Sequence, residues 1–185
     1  MLELAVLLPF LALLFLGSWT VADFIADDNA AVQATQEGAR YAAELGNDGW
    51  VSPDSTNPTT ADEEIIDQML PILDSQLTNA TVQSISIYQP GGSGNGCTYP
   101  GTETAPCPPD EGAYLSGDLV DTWPISGTSI GSPTSLTYTL NDRDQTHPDE
   151  SELGVQVVIA YESPTLQLFS HTSTQYTVVR LAPEE

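Results

Sequence analysis

The acidic stretch at residues 141–150, with the sequence NDRDQTHPDE, holds the densest group of side chains that could bind a metal ion. Calcium prefers several oxygen ligands from closely spaced loop positions, and four carboxylates could supply them: Asp142, Asp144, Asp149 and Glu150. The spacing lacks the glycine and the terminal glutamate of an EF-hand loop. Calcium is therefore a candidate cofactor, and an acidic hairpin loop without a metal is the competing interpretation.

The other polar residues give no support for catalysis. The chain has two histidines, His147 and His171, and neither stands in a nucleophile-elbow or zinc-protease motif. Asp27 and Asp28 could form a paired-carboxylate site, but adjacent residues point to different sides of a helix, so we interpret them as a solvated face or an intersubunit contact. The sequence predicts that the protein is not an enzyme.

Two further patterns concern covalent modification. Cys97 and Cys107 are nine residues apart, and no second Cys or His pair completes a zinc site, so a disulfide is favoured over a metal pair. A disulfide implies an oxidising, extracytoplasmic location. Asn79 begins the sequence Asn-Ala-Thr, an acceptor pattern for N-glycosylation that also arises often by chance.

The charge balance excludes one class of partner. The chain has 26 Asp and Glu, no lysine and only three arginines, which gives a net charge of −23. Such a surface repels phosphate backbones and anionic headgroups, so the sequence predicts no binding of nucleic acid. Such an acidic surface suits solubility at high salt or an environment rich in divalent cations.

The N-terminal segment is long enough to cross a membrane. Residues 4–22 carry no formal charge over 19 positions, and at 1.5 Å per residue such a helix approaches the ~30 Å hydrocarbon thickness. A signal peptide is disfavoured because no basic region precedes the segment and Glu3 stands there instead. A simple anchor leaves Glu3 unexplained, since a carboxylate in an apolar helix is costly unless it is paired. An α-amino group, its own or a neighbour's, is the natural partner.

Three motifs resemble one family. Residues 3–11 (ELAVLLPFL), the leucine-rich run that ends at Gly17, and residues 37–43 (EGARYAA) are similar to TadE-like proteins, which are type IV pilin-like subunits and pseudopilins of Tad/Flp pili. Residues 155–161 and 172–181 also resemble the two closing strands of that family.

The resemblance implies a structural subunit of an extracellular filament that polymerises through its N-terminal helix. The implied partners are copies of itself, the membrane before assembly, the pilus assembly machinery and a prepilin peptidase. The implied subunit-assembly residues are Met1, Glu3, Pro9, Gly17 and Arg40. Family members usually carry basic residues and a glycine before the apolar run, and a prepilin peptidase recognises them. This sequence starts inside that motif, so we expect Met1 to be the mature N-terminus. A membrane-anchored adhesion module that never polymerises, with residues 91–117 as its contact surface, and a minor pseudopilin assembly factor are the alternatives.

Small residues recur along the polar half of the N-terminal helix. They could let helices of neighbouring copies approach closely, although Ala-rich helices are also simply good helix formers. They are Ala26, Ala30, Ala31, Ala34, Gly38, Ala39, Ala42 and Ala43. Pro9 lacks an N–H donor and should loosen or kink the helix near its start.

The predicted architecture is α+β, with a stalk helix at residues 1–46, a linker at 47–60 and a head domain at 61–185. A capping-box pattern at Thr60 opens a second amphipathic helix. Alternating residues predict strands, while residues 119–125 are ambiguous. The predicted strands cover residues 81–89, 136–140, 155–161 and 172–181. We therefore expect an antiparallel sheet of about four strands with the helices on one face.

Overall fold

The computed structural model describes residues 2–47, 59–90, 119–138, 152–163 and 170–181. Two helices precede the strands, and the α+β class is confirmed. The helices are α1 (Leu2–Asn47) and α2 (Thr59–Gln76). The strands are β1 (Ala80–Tyr88), β2 (Val120–Ser126), β3 (Ser129–Ile130), β4 (Ser135–Leu136), β5 (Glu152–Glu162) and β6 (Ser170–Arg180).

The strands form one sheet of six in the order β3-β2-β1-β5-β6, with β4 paired to β2 beside β3. All pairs are antiparallel, as predicted. The predicted number of about four strands was too low for two physical reasons. Pro124 interrupts the strand pattern of the ambiguous segment that forms β2, and β3 has only two residues, which is too short for alternation to register. The predicted strand at residues 136–140 overlaps β4 at Leu136, and its residues 139 and 140 lie outside the described residues.

Both helices pack on one face of the sheet, as expected. On that face the central strands β1 and β5 contribute aliphatic side chains that are completely buried: Ile85, Ile87, Val155, Val157 and Ile159. The apolar side of α2 covers them with Ile65, Ile66, Met69 and Leu73. Each fully buried side chain of this size contributes roughly 1.5–3 kcal/mol, so this layer is the main source of the stability of the head.

The polar half of α1 belongs to the same core. Its small residues Ala30, Ala31, Ala34, Ala39 and Ala42 are at most 3% exposed. They contact the chain's own head, so their predicted role in packing helices of neighbouring copies was wrong. The reason is that small side chains let α1 lie close to the sheet and to α2.

Gly38 lies against α2. A Cβ atom at this position would collide with the side chain of Met69, which is itself fully buried. The glycine of the EGARYAA motif therefore lets α1 pack against α2, because a larger residue would have to displace a core side chain.

The apolar half of α1 stands apart from the head. The helix continues through Pro9, and between residues 7 and 19 its large apolar side chains are 40–66% exposed. By length and composition α1 could cross a membrane, and its apolar window has a mean hydropathy of 1.8 with none of it buried in the protein. A single helix thus has one half built into the head and one half that needs another apolar environment.

Candidate functional site at the junction of stalk and head

The junction of the stalk with the head is built around Asp27. Its carboxylate is completely buried and accepts hydrogen bonds from two backbone N–H groups, of Thr78 at 2.8 Å and of Asn79 at 3.1 Å. These donors lie in the turn between α2 and β1. The interpretation of Asp27 as a solvated or intersubunit residue was therefore wrong, because the carboxylate is buried within its own chain and is hydrogen-bonded to that chain's backbone.

Asp28 points to a different side of α1, as helix geometry predicts. Its Oδ1 atom accepts hydrogen bonds from the Ser173 hydroxyl at 2.6 Å and the Gln175 amide at 2.7 Å, both on β6. About two turns further along α1, the Thr177 hydroxyl donates to the Thr35 hydroxyl at 3.0 Å. Asp27 and Asp28 therefore fix α1 to two different elements, and they do not form a paired-carboxylate site.

These contacts explain why β6 alternates only weakly in sequence. The side of β6 that faces α1 carries Ser173, Gln175 and Thr177, and these polar side chains meet polar partners on the helix. Hydrophobic periodicity detects a strand only where its buried face is apolar, so the pattern is faint here although the strand has 11 residues.

Aromatic contacts complete the junction. The Phe24 ring makes edge-on contacts with Tyr161 and His171, at centroid distances of 5.6 and 5.5 Å. The Tyr161 hydroxyl donates to the backbone carbonyl of Thr20 at 3.3 Å. One of the two histidines is thus a packing residue, and the point at which α1 leaves the head is fixed by Thr20, Phe24 and Asp27.

Alkaline pH should loosen this junction. Burial raises the pKa of Tyr161, and the negative charges of Asp23 and Asp27 raise it further, against a hydrogen bond with Ser163 that lowers it. A tyrosine whose folded pKa is raised stabilises the fold fully below its unfolded pKa of about 10 and loses that contribution as pH rises through the folded pKa. The melting temperature should therefore fall more steeply above about pH 10 in the natural protein than in Tyr161→Phe. Thermal scans by circular dichroism between pH 8 and 11.5 measure this, and parallel curves would contradict it.

Arg40 is paired within its own helix. It donates to Glu37 Oε1 at 2.6 Å, and Glu44 Oε1 lies 3.8 Å away. The hydrogen bond with Glu37, followed by the charges of Glu37 and Glu44, raises the pKa of the guanidinium. The side chain is 65% exposed, so the prediction that Arg40 takes part in subunit assembly stays a prediction.

Asn79 takes part in the junction through both its backbone and its side chain. Its Nδ2 atom, which N-glycosylation would modify, donates to Asp23 Oδ2 at 3.4 Å, and the residue is partly buried. A glycan at Asn79 would therefore replace one of the two Nδ2 hydrogens at this contact.

The other predicted site residues do not meet at the junction. Glu3, Pro9 and Gly17 lie in the apolar half of α1, and an added Cβ at Gly17 would contact nothing. Met1, the predicted disulfide pair and the candidate calcium ligands lie outside the described residues; they are Met1, Cys97, Cys107, Asp142, Asp144, Asp149 and Glu150. Within the described ranges, no cluster of three His, Cys, Asp or Glu side chains could hold a metal ion.

The comparisons with known proteins concern this same N-terminal part of the chain. Residues 1–40 match the family of TadE-like proteins. The resemblance that Glu3, the apolar run and the EGARYAA motif indicated is thereby confirmed for this TadE-like segment (residues 1–40), and it associates the chain with Tad pili. No curated protein and no solved structure matches the chain.

The TadE-like segment contains both the apolar half of α1 and the junction residues Asp27, Asp28 and Thr35. Sequence reasoning did not assign these three residues to contacts with the head. A signal was present for Asp27, which stands four and seven positions before Ala31 and Ala34 and therefore on the same helix face. An acidic residue in line with small residues on one face indicates a buried, hydrogen-bonded carboxylate when that face packs on a protein.

Proposed function

We propose that the protein is a structural subunit, a pilin, of an extracellular filament of the Tad or type IV pilus kind. The observation that carries the proposal is the division of α1, whose apolar half extends beyond the head with exposed side chains while its polar half is built into the core. The exposed half contains large apolar residues along its whole length: Leu7, Leu8, Phe10, Leu11, Leu13, Leu14, Phe15, Leu16 and Trp19. The hydrophobic effect requires that something cover them.

Two environments can cover this half in succession. Before assembly a lipid bilayer surrounds it, with the head on the extracytoplasmic side. In the filament the apolar halves of neighbouring copies replace the lipid, and Glu3 pairs with the α-amino group of another copy because a carboxylate in an apolar bundle needs a counter-charge. The prepilin peptidase and the assembly machinery act on the membrane form. The function is non-enzymatic.

The fixed junction supports this arrangement. Contacts from Thr20, Asp27, Asp28 and Thr35 hold α1 to the turn before β1 and to strands β5 and β6. The stalk and the head therefore move as one unit, so the packing of the apolar halves determines where every head lies on the filament surface.

Electron microscopy of material sheared from the cell surface tests the proposal. We expect filaments with helical order, and mass spectrometry of those filaments should identify this chain as their main component. Recovery of the chain in the membrane fraction alone, with no filaments containing it, would overturn the filament function.

Recovery in the membrane fraction alone would favour the membrane-anchored adhesion module. The exposed apolar half also suits that function, because one helix is enough to hold a head on a membrane. Deletion of residues 1–18 separates the two functions while it keeps the junction contacts from Thr20 onward. A binding module keeps its binding activity as a soluble monomer, whereas a filament subunit loses its function. Circular dichroism shows whether the shortened chain is folded.

A further inference from the structure

The two edges of the sheet differ in length. On the β2 side the edge consists of β3 and β4, which have two residues each, with Gly131 and Pro133 between them. On the other side β6 is an unbroken strand of 11 residues that pairs with β5 in continuous register. Among the described strands, β6 has no other partner. Natural sheets usually protect long edges with proline, charged side chains or bulges, and β6 has none of these features before Arg180 at its end.

The charge of β6 also differs from that of the rest of the molecule. The chain has a net charge of −23, yet neither β6 nor the opposite edge segment at residues 122–138 contains an Asp or Glu. The nearest carboxylates along β5 are Glu152 and Glu162, at its two ends. Two copies of so acidic a protein repel each other over most of their surface. Among the described residues, the strands at both sheet edges carry no carboxylate, and the Asp28 carboxylate of α1 beside β6 is already engaged by Ser173 and Gln175.

The direction of α1 limits how two copies can pair. Contacts from Phe24 to His171, from Asp28 to Ser173, and from Thr35 to Thr177 show that α1 and β6 run side by side in the same direction. The apolar half of α1 therefore leaves the head at the start of β6. Antiparallel pairing of two β6 strands would send the two apolar halves in opposite directions, which excludes it for copies held in one membrane or filament.

A second copy in the same orientation presents its β3–β4 edge to β6. Because every pair in the sheet is antiparallel, β3 and β4 run in the same direction as β6. A neighbour shifted sideways therefore places its residues 129–136 parallel to β6. Such a contact joins two different surfaces and can repeat from copy to copy, as a filament requires.

We propose that β6 pairs by strand addition with the β3–β4 edge of a second copy standing beside it in the same orientation. The inference rests on the proposed function, which supplies copies that share one orientation. It adds a contact between heads to the packing of the apolar helices. Backbone hydrogen bonds provide the attraction, and the absence of carboxylates from both edges makes the approach tolerable.

Photo-crosslinking of the full chain on cells tests this pairing. Tyr176 lies on β6, on the side away from α1, and is partly exposed; its replacement by benzoylphenylalanine keeps an aromatic residue in the strand. Illumination should give a ladder of cross-linked copies, with the attachment mapped to residues 126–138 of the neighbour after cleavage at acidic residues. The same probe at Gln68, an exposed position on α2, is the control.

Three outcomes would overturn the pairing: attachment to a second β6, attachment to a different protein, or a yield no higher than at Gln68. Filaments that form without a Tyr176 cross-link would contradict the proposed pairing but not the filament function. Cross-links between copies in the membrane, in cells that make no filaments, would support the pairing and contradict the filament function.

A matched pair of substitutions at Thr174, which is exposed on the same side of β6, tests the role of charge. In the Tyr176 probe background, Thr174→Glu should lower the cross-link yield by about tenfold, because it places a carboxylate in a contact between acidic copies. Thr174→Gln, which has the same size without the charge, should leave the yield within about twofold. Equal yields from both variants would contradict the proposed pairing. Thermal unfolding by circular dichroism shows whether each variant keeps its fold.

Discussion

Glu3→Ala should lower the amount of filament by about 100-fold while the head remains folded. In the proposed assembly Glu3 pairs with the α-amino group of another copy, and its loss leaves that amino group without a counter-charge in an apolar bundle. An ionised group at the centre of a membrane helix costs about 3 kcal/mol, which corresponds to that factor in an assembly equilibrium. Quantitative immunoblotting of sheared filaments against the membrane fraction measures the effect.

Two further variants show whether the charge of Glu3 is the cause. Glu3→Gln keeps the size of the side chain and should fail like the alanine variant. Glu64→Ala removes an exposed carboxylate from α2 and should assemble normally. Normal filaments from Glu3→Gln would mean that Glu3 does not act through its charge.

Asp27→Ala should destabilise the head by about 3 kcal/mol, which corresponds to roughly 10 °C in melting temperature. The substitution removes a completely buried carboxylate that accepts two part-buried hydrogen bonds, and it leaves the N–H groups of Thr78 and Asn79 without that acceptor. Since these donors connect α2 to β1, we expect the contact of the stalk with the head to weaken first. Urea unfolding at constant salt gives the free energy, and hydrogen exchange at Thr78 and Asn79 reports the local opening.

The neighbouring acids provide the controls for Asp27. Asp23 accepts one hydrogen bond from the described residues, a long one of 3.4 Å from the Asn79 side chain, so Asp23→Ala should cost under about 1 kcal/mol. Asp27→Asn keeps one acceptor oxygen and should lie between the two alanine variants. If Asp27→Ala and Asp23→Ala unfold at the same urea concentration, the buried carboxylate does not hold the junction together.

Residues with a strong local pattern could be placed from the sequence. Ile65, Ile66, Met69 and Leu73 recur at helical spacing, and their helix packs on the sheet as expected. Strands β1 and β5 alternate clearly because their inner faces are wholly apolar. By contrast Trp123 stood in an ambiguous segment, and only the sheet shows that it is a fully buried residue of β2.

For the stalk helix, too, the sequence predicted the element but not all of its contacts. Composition and spacing identified a long helix with an apolar half, and its motifs indicated the TadE-like resemblance that the family match confirmed. They could not tell whether the alanines of the polar half meet a neighbouring copy or the chain's own head, because small residues suit either contact. The sheet decided it by burying Ala31 and Ala34.

The sequence by itself determined the local features of this protein: two helices, the alternating strands, the acidic surface and an apolar segment long enough for a membrane. Only the tertiary structure decided that Asp27 and Asp28 hold the stalk to the head, and that α1 and β6 run in the same direction, with β6 at the edge of the described sheet. The physical reason is that periodicity reports which face of an element is buried, whereas hydrogen bonds between residues about 50 to 145 positions apart depend on where the chain brings their partners.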